Sequence, residues 1–89
     1  MTIFYNPNNL ENNYLSPYVQ VHIDFDTTIL RNTLYHTEVI LKVNRLQIQK
    51  ILDLLMNGVN TENLLLSLSE ITKQEVELYE YLIQKFIIE

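Results

Sequence analysis

The stretch that decides the fold is EVILKVNRLQIQKILDLLMNG, residues 38–58. It opens as an apolar run rich in β-branched residues (Val39, Ile40, Leu41, Val43), a composition that favours a strand. At Asn44 the apolar period changes from two residues to about 3.6, and Ile48, Ile51, Leu52 and Leu55 fall on one helical face. The join carries its own instructions. Asn44 can accept from the unpaired N–H groups of a first helical turn, and Gln47, three residues on, completes a capping box. Val43 and Ile48 have the spacing of a hydrophobic staple across that cap. Gly58, the only glycine, follows Asn57 where a helix C-cap needs a left-handed residue. A strand therefore runs directly into a capped helix. Sheet is expected before this junction and helix after it.

Upstream, Val19, Val21, Ile23 and Phe25 alternate with Gln20, His22 and Asp24, the pattern of a half-buried strand with one wet face. Asp26-Thr27 is expected to turn the chain, because a short polar side chain bonds to its own following backbone. Residues 28–32 then form a second strand, and a polar loop over residues 32–37 leads to a third at 39–43. Connections this short favour an antiparallel meander. Downstream, the same staple-and-cap device recurs. Val59-Asn60 faces Leu64, and Ile71-Thr72 faces Val76, with Glu75 completing a second capping box. Three helices are expected, near 45–57, 61–68 and 73–87. The order β-β-β-α-α-α in 89 residues is an α+β, winged-helix-like arrangement, a three-stranded antiparallel sheet followed by three α-helices.

In the last helix, Lys73, Glu77, Glu80 and Gln84 cluster on a narrow polar face. Val76, Tyr79, Leu82, Ile83 and Phe86 form the opposite arc, widened on one flank by Leu78 and Tyr81. An apolar stripe of about 100° or somewhat more suffices for a helix that packs one face. This arc is wider, which leaves room for a second contact beyond the core. Residues 1–14, rich in asparagine, read as a poorly ordered arm ahead of a domain over 15–89, with Ile3, Phe4 and Tyr5 open to docking on a partner or on the domain itself.

Composition narrows the function classes. A hydrophobic content of 47% supplies one core and argues against intrinsic disorder. There is no cysteine, so no disulfide or thiolate metal site can form. No apolar run approaches about 18 residues and no secretory pattern opens the chain, so the expectation is a cytoplasmic protein without a membrane partner. The net charge is −5. All of that excess lies in residues 53–89, which hold seven acids against Lys73 and Lys85. A phosphate backbone is repelled by such a half, so no nucleic-acid partner is expected. His22 and His36 stand without a ligand at metal spacing. One glycine cannot build a phosphate loop, and the serines lack a nucleophile-elbow context. Acid pairs such as Asp24/Asp26 and Glu75/Glu77 read as solvated faces, since nothing adjacent would desolvate one member. The residues point to a non-catalytic binding protein without a cofactor.

Beyond these local readings, LSPYVQVHID (residues 15–24) resembles the first strand of the PqqD-like family, the precursor-recognition elements of ribosomally made, post-translationally modified peptides. ILRN (29–32) resembles its second strand and EVILKV (38–43) its third. LDLLMNG (52–58) matches the end of its first helix, and EVELYEYLIQKFII (75–88) its closing helix. The glycine usual near the end of that helix is absent, with Lys85-Phe86 in its place. The resemblance implies a peptide chaperone of natural-product biosynthesis. Such a protein binds the leader segment of a precursor peptide as an added strand, between the third strand and third helix, and presents the rest to a maturation enzyme (a protease, cyclodehydratase or radical enzyme). Carried onto this chain, Glu38, Val39, Ile40, Leu41 and Lys42 form the pairing edge. Gln74, Leu78, Tyr81 and Lys85 form one candidate wall, and Val76, Ile83 and Ile87 the other. Competing readings are a winged-helix DNA-binding regulator and a small antitoxin-like interaction protein.

Overall fold

The computed structural model describes residues 12–89. Its elements are β1 (Asn12–Asn13), β2 (Val19–Asp24), β3 (Thr27–Asn32), β4 (Thr37–Leu41), α1 (Arg45–Asn57), β5 (Val59–Asn60), α2 (Thr61–Leu68) and α3 (Glu75–Gln84). Strands β2, β3 and β4 form one antiparallel sheet in sequence order, and the three helices follow it. This is the winged-helix-like α+β layout. A second, two-stranded sheet pairs β1 with β5, a link absent from the sequence reading.

The junction at Asn44 folds as its residues specify. The Asn44 side chain accepts from the Gln47 amide at 2.9 Å, and the Gln47 side chain accepts from the Asn44 amide at 3.2 Å. Ile48, Ile51, Leu52 and Leu55 are the buried face of α1. Asn60 caps α2 in the same manner, accepting from the Asn63 amide at 2.8 Å. Gly58 does take a positive φ, 89°, but its ψ of 127° is extended, so it redirects the chain instead of coiling it. An added Cβ there would lie 2.6 Å from the Tyr14 ring.

α3 departs from expectation at both ends. It starts at Glu75, not 73, because the Thr72 hydroxyl accepts from the Gln74 amide in a local turn and leaves the helix N-terminus without a side-chain cap. It stops at Gln84, not 87, because Phe86 turns to φ 62°. Ile87 and Ile88 are buried core residues outside the helix, and Ile88 bridges to Leu15. The expected arc therefore rotates: Leu82 is the buried residue of α3, Leu78 and Tyr79 pack on the core, and Val76, Ile83 and Phe86 are exposed.

The β2–β3 hairpin closes one residue earlier than expected. Asp24 pairs with Thr27, which places Phe25 and Asp26 in the turn. Phe25 is not on the inner face of β2; it is 93% exposed at φ 52°. On the core side of the sheet lie Leu30 and Val39 with Thr28 and Asn32, covered by α1, α2 and the chain's last residues.

Residues 12–14 belong to the folded unit and not to an arm. The Asn13 side-chain amide donates to the Val59 carbonyl at 3.1 Å, and its oxygen accepts from the Tyr79 hydroxyl at 2.8 Å. Tyr14 and Glu89 exchange both backbone hydrogen bonds, at 3.0 and 2.9 Å. The expectation for residues 1–11, including Ile3, Phe4 and Tyr5, lies outside the described residues.

Candidate functional site: the open edge of β4

β4 pairs with β3 on one side and has no strand neighbour on the other among the described residues. Which of its amides point outward follows from the ladder. In antiparallel pairing each residue directs its N–H and C=O to the same side, and successive residues alternate sides. The Thr33 amide donates to the Tyr18 carbonyl at 3.0 Å, so Thr33 turns toward the β2 side. With the register of Gln20 to Arg31 and His22 to Ile29, the odd-numbered residues of β3 face β2 and the even-numbered ones face β4. Leu30 opposes Val39 and Thr28 opposes Leu41, so Val39 and Leu41 bond inward. Glu38 and Ile40 present their backbone to the open edge. Ile40 lies at its centre, with its side chain 58% exposed on the outer face of the sheet.

A groove of about 510 Å³ continues that edge. Leu41, Lys42 and Val43 form one wall, Gln74 at the N-cap of α3 with Glu77, Leu78 and Tyr81 the other, and Ile71 with Thr72 closes one end. At the far end the Thr37 hydroxyl donates to the Lys85 carbonyl and fastens the start of β4 to the end of α3. The Lys85 ammonium sits 5.6 Å from the centre of the Tyr81 ring, an arrangement that attracts cation to aromatic face.

The residues singled out from the sequence divide among several places. Leu41, Lys42, Gln74, Leu78 and Tyr81 line this one groove, with Lys85 at its end. Val39 is core, and Glu38 turns its side chain to the outer sheet face, where it pairs with Arg31 at 2.6 Å. At the open edge Val39 offers a partner nothing, and Glu38 offers its backbone. The alternative wall does not form. Val76 faces away from β4, toward α2, and Ile87 is buried outside the helix. Sequence reasoning missed Glu77, Ile71, Thr72 and Val43 as lining residues. Glu77 could have been found, since it lies three residues from Gln74 and four from Tyr81, on the same helical flank.

The other edge, β2, also has no second strand neighbour among the described residues, and it borders a shallow depression of about 590 Å³ lined by Gln20, Val21, His22, Ile29 and Arg31. All five residues come from β2 and β3, so this hollow has no second wall. An added strand there would gain main-chain bonds but no flanking pocket. The β4 edge supplies both, and it is the better binding site.

Comparison with family models, with characterised proteins and with solved structures gives no match.

Proposed function

We propose that this protein is a stand-alone recognition element that binds the leader segment of a ribosomal precursor peptide along β4 and presents the remainder to a separate maturation enzyme. The observation that carries this reading is the coincidence of an unpaired strand edge at Ile40 with a two-walled, largely apolar groove beside it. An extended peptide gains main-chain hydrogen bonds from such an edge, and its alternate side chains reach the groove. Leu41 and Leu78 offer apolar contact, Tyr81 a flat aromatic face, and Lys42 and Glu77 one charge of each sign to orient the peptide. The sequence resemblance of residues 15–88 to PqqD-like proteins supports the same reading. On this reading the protein is cytoplasmic and performs no chemistry of its own; the partner enzyme does. No helix among the described residues is long and apolar enough to cross a membrane.

The test is an amide chemical-shift titration of the full chain with synthetic leader segments of short precursor peptides encoded beside it. Saturable shifts confined to residues 38–43 and 71–85 are the expected result. Absence of binding by every such leader would contradict it.

A further inference from the structure

A second groove lies on the far flank of α3. At 100° per residue, Val76 and Ile83 fall on the side of the helix roughly opposite Gln74 and Tyr81. Val76 joins Leu65 and Leu66 of α2 around a hollow of about 300 Å³, with Ser69 at one side and Glu62 and Glu75 on the rim. Leu66 is 62% exposed, Val76 47% and Ile83 41%. Singly exposed aliphatic residues are ordinary, but here Leu66 and Val76 line one hollow across two helices. The sequence shows the same surplus, as an apolar arc wider than one packing face requires.

The charge around the groove selects its occupant. Glu62 and Glu75 stand in the first turns of α2 and α3, where they also complement the helix dipoles, and Glu80 follows on α3 one turn after Val76. None of the three forms an ion pair among the described residues, whose salt bridges are Arg31–Glu38 and Lys50–Glu70. Lys73, in the turn before α3, is the one nearby cation in sequence, and it is also unpaired among the described residues. A second copy of this chain would bring carboxylates against carboxylates. An anionic lipid surface or a nucleic acid would meet the same repulsion.

We infer that the α2–α3 groove is a second docking surface, for a protein segment that inserts an aliphatic or aromatic side chain and flanks it with Lys or Arg. This surface is independent of the β4 groove, and the two flanks of α3 can be occupied together.

The inference is tested by amide shift mapping of the full chain against a synthetic amphipathic peptide with leucine and lysine at helical spacing. A twin carrying glutamate for lysine and a twin carrying serine for leucine are the controls. The expected result is saturable shifts at Leu65, Leu66, Ser69 and Val76, sparing Leu41 and Tyr81, from the lysine peptide alone. Leu66→Ser with Val76→Ser should weaken that binding by about tenfold or more. Glu62→Gln with Glu80→Gln, which leaves the apolar lining intact, should weaken it several-fold and flatten its salt dependence. Shifts scattered over every acidic surface, shifts confined to the β4 groove, equal binding of the glutamate twin, or full affinity in both double variants would each overturn the inference. Concentration-dependent dimerisation through Leu66 without peptide would do so too, since it makes a second copy the occupant.

Discussion

The side-chain amide of Asn32, buried in β3, donates to the carbonyl of Phe86 at 2.8 Å, binding the middle of the sheet to the turn that ends α3. The Asn32 oxygen accepts from the amides of Leu34 and Tyr35 at 2.9 and 3.0 Å, so the same side chain shapes the β3–β4 loop. Tyr35 then stacks on Phe86 at 4.3 Å between ring centres. One asparagine thus holds the start of β4 against the end of α3, and the groove between them depends on it.

Asn32→Ala is expected to destabilise the protein by about 1–3 kcal/mol, because it leaves a carbonyl and two amides without their partner at a part-buried site. A denaturant melt measures this. A loss below about 0.5 kcal/mol would show that water or a neighbour replaces those bonds.

The two cap positions should behave differently. Asn44→Ala removes one half of a complete capping box and should cost about 0.5–2 kcal/mol. Thr72→Ala removes one exposed turn hydrogen bond, to Gln74, and should cost no more than about 0.5 kcal/mol. Thermal melts of both variants check the contrast. Sequence alone gives the two equal weight.

Phe25 and Phe86 hold backbone conformations that are costly for any residue with a Cβ. Phe25 repays none of that cost by burial, so Phe25→Gly is expected to raise stability, by up to about 1 kcal/mol. Phe86→Gly relieves the same strain but loses the stack on Tyr35, so it should be neutral or destabilising. If Phe25→Gly also destabilises in a melt, the turn at residues 25–26 is not strained.

Specific duplex DNA binding is not expected. The acid excess lies in the helical half, and Lys73 and Lys85 are the only cations there. A sequence-selective mobility shift at sub-micromolar protein would reverse this expectation and the proposed function with it.

Much of the fold is legible in local chemistry. Asn44 with Gln47, and Asn60 with its staple, give the starts of α1 and α2, because capping is decided within four residues. The ends of α3 are not local. Thr72 and Glu75 have the spacing of a capping box, but the Thr72 hydroxyl bonds Gln74, a choice the spacing does not encode. The helix ends at Gln84 because Asn32 and Tyr35 hold Phe86 in its left-handed turn from across the chain. Alternation places Phe25 on the inner face with Val19, Val21 and Ile23, because it cannot tell the last residue of a strand from the first of a turn. Half of the groove was legible for a simpler reason. Gln74, Leu78 and Tyr81 share a helical flank by arithmetic, whereas which strand that flank faces depends on tertiary packing.

Strand addition at β4 is open to test by proline substitutions along the sheet. Ile40→Pro removes an outward amide and should leave the fold cooperative, while Leu41→Pro breaks the ladder to Thr28 and should damage it. Val21→Pro removes an outward amide from the rival edge, β2. Tyr81 is 42% exposed on the groove wall, so Tyr81→Ala should cost affinity more than stability. The decisive measurement is the affinity of the folded Ile40→Pro variant for a labelled leader peptide, beside the parent chain, Val21→Pro and Tyr81→Ala. The prediction is a loss of about tenfold or more for Ile40→Pro and a clear loss for Tyr81→Ala, with Val21→Pro unchanged. Parent-like affinity in Ile40→Pro and Tyr81→Ala, above all if Val21→Pro is the variant that fails to bind, would contradict it.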